Sequence, residues 1–431
     1  MNMFEFSNKI LTLKKEDKYN EAIKFFKENK HNFSKKDISE NKYIIASMLT
    51  CLRKANYVKM TYKFLEEYQI DINENSEELM LNAYGWAVHD NIKQGYIVKN
   101  QIIKAIEQLI FLLSLKSTDY SYSVISNLFR LGLKISKENQ NQDFIFTNDF
   151  CNIFNESILS SKNKIYEDGD KSRTMASDRE KWYCEKSKAL YHLKDYKQCC
   201  ELSEKALQII SKFTNNNDVW LTRRIALSHK ELGNIDNAIE KLHSIYRKKN
   251  EWFIQKEIAE LYFEKDELEL AFKHCSNALN AKGKIEYKID LIFLMANILK
   301  VKGEDKLAQK HFIFVKELRE KHGWKIPEKV QEAINNETIN ITTNHGLRLE
   351  LEKYWQTLIS KQKLHFGIIK KILHDNEKGK DGFIKAEQKD HYFTLSSHQK
   401  LFNKISIDTE VKFEIVPSNN NKTKARIIEV V

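Results

Sequence analysis

The stretch ALSHKELGNIDNA, residues 226–238, contains the pattern that decides the fold of most of the chain. It begins and ends on an alanine, and the turn Gly233-Asn234-Ile235 lies between two segments whose apolar residues recur at helical spacing. Small side chains at Ala226 and Ala238 allow two helices to approach each other closely. The stretch therefore predicts a helical hairpin.

The same arrangement recurs four times between residues 181 and 316, and such internal repetition indicates a repeat protein. In each copy a small residue on the first helix is followed twelve positions later by another on the second helix. The pairs are Ser187 with Cys199, Ala226 with Ala238, Ala259 with Ala271, and Ala296 with Ala308. A turn is expected between the two members of each pair.

This pattern resembles the tetratricopeptide repeat, a helix hairpin of roughly 34 residues that stacks on its neighbours. The match departs from the family in two respects. Trp220 and Trp252 are displaced from the tryptophan position of the first helix, and no proline closes a unit. The resemblance implies an α-solenoid.

Outside the clear repeats the array is expected to be less regular. Weaker helix pairs at Tyr19–Phe26 and Ile44–Leu65 extend it towards the N-terminus. Residues 77–180 indicate helices with longer loops, and Glu167–Ser172 is a polar break expected to form an exposed loop. We therefore expect a tetratricopeptide-like array over residues 1–334.

After the array the sequence pattern changes twice. Residues 335–346 combine turn-forming and β-branched residues and are the predicted domain linker. Residues 347–363 carry one apolar stripe at helical spacing and are expected to form an amphipathic connecting helix. Residues 364–431 contain five short strand-like segments separated by turns, which is typical of a small barrel. The predicted fold is mostly α with a small all-β domain.

The five-strand segment resembles a cold-shock domain, a nucleic-acid-binding member of the oligonucleotide/oligosaccharide-binding (OB) fold. Gly367–Lys370 resembles the first strand of that family, and Lys378–Ile384, with its Gly-Phe-Ile ending, resembles its first ribonucleoprotein motif. Asp390–Ser396 resembles the second motif and Val411–Ile415 the fourth strand. The resemblance implies a five-stranded OB barrel that binds single-stranded RNA or DNA.

Several aromatic residues of the family are replaced here. Lys371 stands where the family has a stacking tryptophan, and Lys380 and Asp381 occupy the region of a second aromatic residue. Thr394 and Leu395 replace a histidine and a phenylalanine. Because base stacking contributes about 1–3 kcal/mol per base, the loss of two stacking platforms predicts weak binding that depends strongly on salt.

The aromatic residues that remain are Phe383 and either Tyr392 or Phe393, depending on which of these two the strand turns outward. Neighbouring lysines supply charge for a phosphate backbone. The residues expected to contact nucleic acid are Lys370, Lys371, Lys378, Lys380, Phe383, Tyr392 and Phe393.

The concave surface of a helical-repeat array is lined by the first helix of each pair. Here that surface would mix aromatic rings with cations, which suits an extended peptide with acidic groups or a phosphate backbone. The alternative is that the rings pack between repeats and the cations face solvent. The expected groove residues are Lys188, Tyr191, Trp220, Arg223, Lys230, Phe253, Lys256 and Phe263.

Composition limits the class of protein. Lys and Arg total 71 against 60 Asp and Glu, a net charge of +11 that favours acidic partners. The first residues lack the basic-then-apolar order of a signal peptide, and the most apolar window, Ile102–Leu115, is too short to cross a bilayer. The six cysteines form no Cys-x-x-Cys pair. We expect a cytoplasmic protein without a membrane segment.

The usual catalytic signatures are missing from the sequence: there is no phosphate-binding loop, no His-Glu-x-x-His and no Gly-x-Ser-x-Gly. We therefore expect no catalytic residue, metal ion or cofactor. The sequence predicts a non-enzymatic adaptor that binds RNA or single-stranded DNA and a protein partner. The alternatives are a pure protein-interaction scaffold, or a regulatory subunit of a multi-gene system, such as a defence system, whose barrel does not read nucleic acid.

Overall fold

A computed structural model gives the fold of the chain. It describes residues 1–116, 119–137, 142–168, 171–246, 248–249, 251–335, 346–362, 364–386, 389–397, 401–417 and 423–431. The chain divides into two compact units, residues 1–241 and 242–431. The fold is mostly α, an array of tetratricopeptide-like helix hairpins with a closed five-stranded barrel at the C-terminal end, which confirms the predicted fold class.

The first unit is built from helices and one small hairpin of strands. Its helices are α1 (Met3–Lys15), α2 (Tyr19–Asn29), α3 (Lys35–Ser39), α4 (Lys42–Lys54), α5 (Met60–Glu67), α6 (Glu78–Lys93), α7 (Lys99–Lys116), α8 (Asp119–Ile135), α9 (Phe144–Ile153), α10 (Asp178–His192), α11 (Tyr196–Ile209), α12 (Asn217–Glu231) and α13 (Ile235–Tyr246), whose last residues extend past the unit boundary. The strands β1 (Lys164–Asp168) and β2 (Lys171–Met175) pair antiparallel between α9 and α10.

The second unit contains further helices and the barrel. Its helices are α14 (Trp252–Glu264), α15 (Leu268–Asn280), α16 (Ile289–Val301), α17 (Asp305–Lys321), α18 (Glu328–Asn335) and α19 (Leu347–Gln362). Its strands are β3 (Leu364–Asn376), β4 (Gly379–Ala386), β5 (Lys389–Ser396), β6 (Glu410–Pro417) and β7 (Thr423–Val430). Residues 336–345 of the predicted linker lie outside the described residues.

The small residues of the repeat pattern are where the helices of each pair meet. All eight, from Ser187 to Ala308, are completely buried. In the pair α10–α11 the contact is close enough for the Cys199 thiol to reach the carbonyl oxygen of Ser187, at 3.2 Å. Any larger side chain at these positions would separate the helices, which explains why the pattern is readable in the sequence.

The hairpin turns share one backbone feature. The second residue after each first helix has a positive φ, 65° at Lys194, 79° at Gly233, 60° at Asp266 and 78° at Gly303. This left-handed conformation ends the helix and reverses the chain, and glycine adopts it without a steric penalty. Two of the four turns use glycine, and the other two hold a side chain in a conformation that costs free energy.

Between α9 and α10 the structure differs from the sequence prediction. The polar break Glu167–Ser172 was expected to be an exposed loop within a helical region, but its described residues belong to β1 and β2. The side chain of Ile165 is exposed on this hairpin. The hairpin side chains that the structure describes, residues 165, 167 and 172–175, are exposed and form no buried apolar face, so the sequence lacks the alternation from which strands are predicted.

The barrel closes in the order β3-β4-β5-β7-β6. All neighbouring strands are antiparallel except β5 and β7, which are parallel. Alternate residues point into a core that includes Ile369, Ile384, Phe393, Val411 and Phe413. Within the described part of the chain, no helix is long and apolar enough to span a membrane.

Candidate binding surfaces

The outer face of β3, β4 and β5 brings predicted nucleic-acid residues into one row. The strand register places Lys371 opposite Phe383 and Phe383 opposite Tyr392. The two rings meet edge to face, with centroids 5.6 Å apart and an interplanar angle of 60°. Directly opposed residues on neighbouring strands lie on the same face of a sheet. A cation and two aromatic rings therefore form a row across three strands, which we call the Lys371–Tyr392 row.

A carboxylate lies beside this row. Asp381 accepts a hydrogen bond from the hydroxyl of Tyr392 at 3.0 Å and lies 2.9 Å from the ring nitrogen Nδ1 of His374. Its partial burial acts to raise the pKa of Asp381, but the hydrogen bonds from His374 and Tyr392 outweigh that effect and lower it. Asp381 thus stays ionised and can accept hydrogen bonds from base edges, while it opposes the approach of phosphate at that point.

The predicted lysines fall into two groups. Lys370 pairs with Asp390 at 2.7 Å. Lys380 donates to the carbonyl oxygen of Ile405 at 2.9 Å and pairs with Asp375. Its ammonium is therefore engaged by partners within the barrel. Lys371 and Lys378 are exposed, and neither ammonium pairs with a carboxylate of the described residues.

The choice between Tyr392 and Phe393 is resolved by burial. Phe393 points into the barrel core and is completely buried, which corrects its inclusion among the surface residues. Tyr392 lies on the outer face with 36% of its surface exposed. The sequence reasoning missed His374, whose role follows from its position opposite Asp381 in a register that only the folded sheet provides.

Four of the predicted groove residues line one cavity in the first unit. Lys188 and Tyr191 on α10 face Trp220 and Arg223 on α12 around a space of about 530 Å³. Lys188 donates to Oε1 of Gln142 at 2.8 Å. The remaining predicted residue of this unit, Lys230, lies near the end of α12 and does not line the cavity.

The other three predicted groove residues belong to α14 in the second unit. The side chain of Lys256 pairs with Glu260 one turn away at 2.9 Å. Phe263 packs against the helical core of that unit, and the ring of Phe253 lies 6.0 Å from that of Trp252. For Phe263 these contacts favour the alternative in which the ring packs within the array, and not the one in which it lines a ligand-binding groove.

Arg224 is a cavity residue that the sequence reasoning missed. One of its guanidinium nitrogens donates to the hydroxyl of Ser187 at 2.6 Å and to the carbonyl oxygen of Cys184 at 3.3 Å. Burial lowers the pKa of this guanidinium, and no carboxylate of the described residues forms an ion pair with it. A partly desolvated cation without an ion-pair partner is costly, so the cavity has a chemical preference for an anionic group.

The residues around Arg224 also favour an anionic ligand in this cavity. His192 lines the cavity, and its partial burial together with the charges of Lys188 and Arg224 lowers its pKa, so the ring is neutral near pH 7. Glu185, the carboxylate in the cavity wall, is already engaged by Lys137 at 2.6 Å. The net charge of the cavity lining is therefore positive.

Comparisons with known proteins give limited information. A family model described as a domain of unknown function (DUF7017) matches residues 219–353, under a third of the chain. No curated protein matches.

Solved structures similar to the chain are tetratricopeptide-repeat proteins. They include MamA (residue 41 to the end) from Desulfovibrio magneticus RS-1, with 15% identity, coverage of 46% of this chain and 96% of that one, and a TM-score of 0.33. The apo form of RapI covers 84% of this chain and 87% of its own at 11% identity, with a TM-score of 0.35. PilF from Pseudomonas aeruginosa has 11% identity and covers 69% of this chain and 97% of its own, with a TM-score of 0.30. At these values the likenesses carry no information on function.

Proposed function

We propose that the protein is a non-enzymatic, cytoplasmic adaptor: a cold-shock-like barrel holds single-stranded RNA or DNA, and the helical-repeat groove holds an acidic segment of a protein partner. The observation that carries the nucleic-acid part is the Lys371–Tyr392 row. Two rings and a cation on one sheet face supply what single-stranded nucleic acid needs, a stacking surface and a charge for its backbone.

The same row sets the expected strength of binding. Phe383 and Tyr392 meet edge to face, so they do not offer two parallel faces, and about one base can stack well. Lys371 and Lys378 provide positive charge, and the negative charge of Asp381 offsets part of it. Binding through this face is therefore weak and falls steeply as salt is added, because it depends on the release of counterions.

The test is fluorescence anisotropy of labelled single-stranded RNA and DNA with the full-length protein at several salt concentrations. The double variant Phe383→Ala with Tyr392→Ala should weaken binding roughly five- to hundredfold, since about 1–3 kcal/mol of stacking is lost for the one base that stacks well. Phe366→Ala is the matched control, because Phe366 is an exposed ring of the same barrel, 63% exposed, outside the row. Equal weakening by both variants, or none by either, would rule out the row as the binding surface.

The partner part of the proposal rests on Arg224 and Lys188 in the cavity of the first unit. A glutamate-rich peptide labelled with a fluorophore should bind the full-length protein, and its glutamine analogue should not. Arg224→Met should weaken binding of the glutamate peptide, whereas Lys36→Met, at an exposed lysine away from the cavity, should not. Equal binding of the two peptides would argue against an acidic ligand.

One observation favours the alternative of a protein-interaction scaffold. Phe366, Ile368 and Leu373 expose apolar surface along β3, and such surface suits a protein contact better than a phosphate backbone. In that case, or if the protein is a regulatory subunit of a multi-gene system, partners isolated with the protein would survive nuclease treatment. No oligonucleotide would then change anisotropy at low salt.

A further inference from the structure

A second cavity lies in the second unit, and its lining shares no residue with the surfaces described above. It has a volume of about 790 Å³, within the range of about 300–1,000 Å³ that holds small-molecule ligands. Its walls are the end of α15, the loop of residues 283–288, the turn after α17 and one face of α19. All of these elements belong to one unit.

The loop that forms one wall is held in a defined position. Gly283 has φ of +155°, and a Cβ atom there would lie 3.1 Å from the ring of Trp252 and 3.3 Å from Cε of Lys288. A side chain at this position would push the loop away from both neighbours. The wall is therefore packed against the helical core.

The rim of the cavity carries aromatic surface. Gly323, two residues after the end of α17, has a φ of 65°. The amide of Trp324 donates to the carbonyl oxygen of Arg319 at 2.9 Å, which fixes the position of Trp324. The Trp324 ring stacks on His322 with centroids 4.7 Å apart, and 42% of the residue remains exposed. A second ring on the lining, Tyr287, is 68% exposed.

Cations lie at the floor and on two sides. Lys288 is buried, and its ammonium donates to the carbonyl oxygens of Leu279, at 2.9 Å, and of Ala281, with no carboxylate partner among the described residues. Burial lowers the pKa of Lys288 to about 8, so it still carries a charge at neutral pH. Lys284 and Arg348 add positive charge at the sides. Two carboxylates also line the cavity, Glu286 and Glu352, and Glu352 pairs with Arg348 at 2.8 Å, so the three lining cations exceed the carboxylates by one.

Amide groups complete the lining. Nδ2 of Asn280 donates to the carbonyl oxygens of Ser276 and Trp355, at 2.9 and 2.8 Å, which leaves its Oδ1 to accept a hydrogen bond. Gln356 is exposed on the face of α19 that lines the cavity and offers both a donor and an acceptor. Amides in this form match the hydrogen-bonding edges of nucleobases.

From this combination we infer that the cavity is a binding site for a mononucleotide. The base stacks on the exposed face of Trp324, its edge meets the amides of Asn280 and Gln356, and its phosphate lies among the cations Lys284 and Arg348. A mononucleotide is a small ligand that can use the ring, the amides and the cations together. The site would make the adaptor responsive to a soluble ligand.

Titration calorimetry of the full-length protein with AMP, GMP, CMP and UMP tests this inference. At least one nucleotide should bind saturably, and both its nucleoside and inorganic phosphate should bind more weakly than the nucleotide. Trp324→Ala should weaken nucleotide binding roughly five- to hundredfold, the range expected for one base stack. Lys284→Gln should weaken binding of the nucleotide but not of the nucleoside.

The controls separate this site from the barrel and from a loss of folding. Lys282→Gln changes an exposed lysine just before the loop that does not line the cavity, and it should leave binding unchanged. Phe383→Ala should also leave nucleotide binding unchanged, while the circular dichroism of every variant should match that of the wild type. Absence of saturable binding by all four nucleotides overturns the inference, as does binding that Phe383→Ala abolishes and Trp324→Ala does not.

Discussion

Nε2 of His311 accepts a hydrogen bond from Nε1 of Trp355 at 2.9 Å, in the buried contact between α17 and α19. The other ring nitrogen, Nδ1, lies 2.7 Å from the carbonyl oxygen of Leu307 and must donate its proton there. Only the neutral ring can accept the bond from Trp355, because the protonated ring donates from both nitrogens. Since α19 is the last helix before the barrel, the protonation state of His311 controls how that helix is held.

Acidification should therefore loosen α19. Burial lowers the pKa of His311 from about 6.5 to about 4, against a smaller raising effect of the Leu307 carbonyl. A histidine whose pKa is lowered by folding contributes its full stability above about pH 6.5 and loses it as the pH falls towards 4. The loss should approach about 3 kcal/mol near pH 4. Hydrogen exchange of the residues of α19, corrected for intrinsic rates, should show protection falling across that interval.

The variant Trp355→Phe isolates the hydrogen bond. It should lower the stability of the α17–α19 contact by about 1–3 kcal/mol at pH 7, because His311 keeps a buried acceptor without a donor. It should also weaken the pH dependence without abolishing it, since protonation of Nε2 no longer breaks a bond but burial still lowers the pKa of His311. An unchanged pH profile in the variant would mean that burial of the ring, and not this hydrogen bond, sets the pH dependence.

Two half-buried arginines of the first unit should respond in opposite ways to the same change. Arg130 forms a two-point ion pair with the buried Asp178, at 2.6 and 2.8 Å, whereas Arg224 has no carboxylate partner among the described residues. Arg130→Met leaves an uncompensated carboxylate and should cost about 3–5 kcal/mol of unfolding free energy. Arg224→Met removes an uncompensated cation and should be close to neutral or stabilising.

Chemical denaturation of the two variants, followed by circular dichroism, measures this difference. Arg224→Met should retain or exceed the wild-type midpoint while it loses affinity for the acidic peptide. A residue that costs stability but supports binding is what a functional site requires. If Arg224→Met destabilised the protein as much as Arg130→Met, Arg224 would be a structural residue and the cavity would lose its main support.

The hairpin turns allow stability to be changed in both directions. Lys194 is exposed and has φ of 65°, so Lys194→Gly should relieve backbone strain and stabilise the first unit by roughly 0.5–1 kcal/mol. Gly303→Ala should destabilise the second unit by about 1 kcal/mol, although the space around it is open. Calorimetry should show a higher unfolding temperature for Lys194→Gly and a lower one for Gly303→Ala than for the wild type. Shifts in the same direction would contradict the left-handed assignment.

The sequence was sufficient for the helical hairpins because their requirement is local. Close approach of two helices needs a small residue at a fixed place, and Ala226 and Ala238 satisfy it within thirteen residues of chain. The β1–β2 hairpin was missed because it lies on the surface with Ile165 exposed. No apolar alternation marks such a strand.

The candidate sites were less predictable because they depend on contacts between distant segments. Phe383 and Lys371 could be proposed from the motif, but their alignment with Tyr392 depends on strand register. Arg224 and Arg223 are adjacent in the sequence, and only the packing of α12 against α10 distinguishes the one that bonds to Ser187. Residue type alone does not show which of the two arginines makes this contact.

The glycines of the Lys378–Ile384 segment provide a final test, because the structure gives them a packing role. A Cβ atom on Gly382 would lie 2.0 Å from the carbonyl oxygen of Lys371, so β3 and β4 can approach only if this residue is glycine. Gly382→Ala should destabilise the barrel by at least about 2 kcal/mol and disturb Lys371 in the row. Gly346→Ala is the control, since no atom lies within 4 Å of its added methyl group. Limited proteolysis should release fragments from the barrel of Gly382→Ala and not of Gly346→Ala. Equal resistance of the two variants would mean that the strands can separate without loss of the fold, and the row would then tolerate the change.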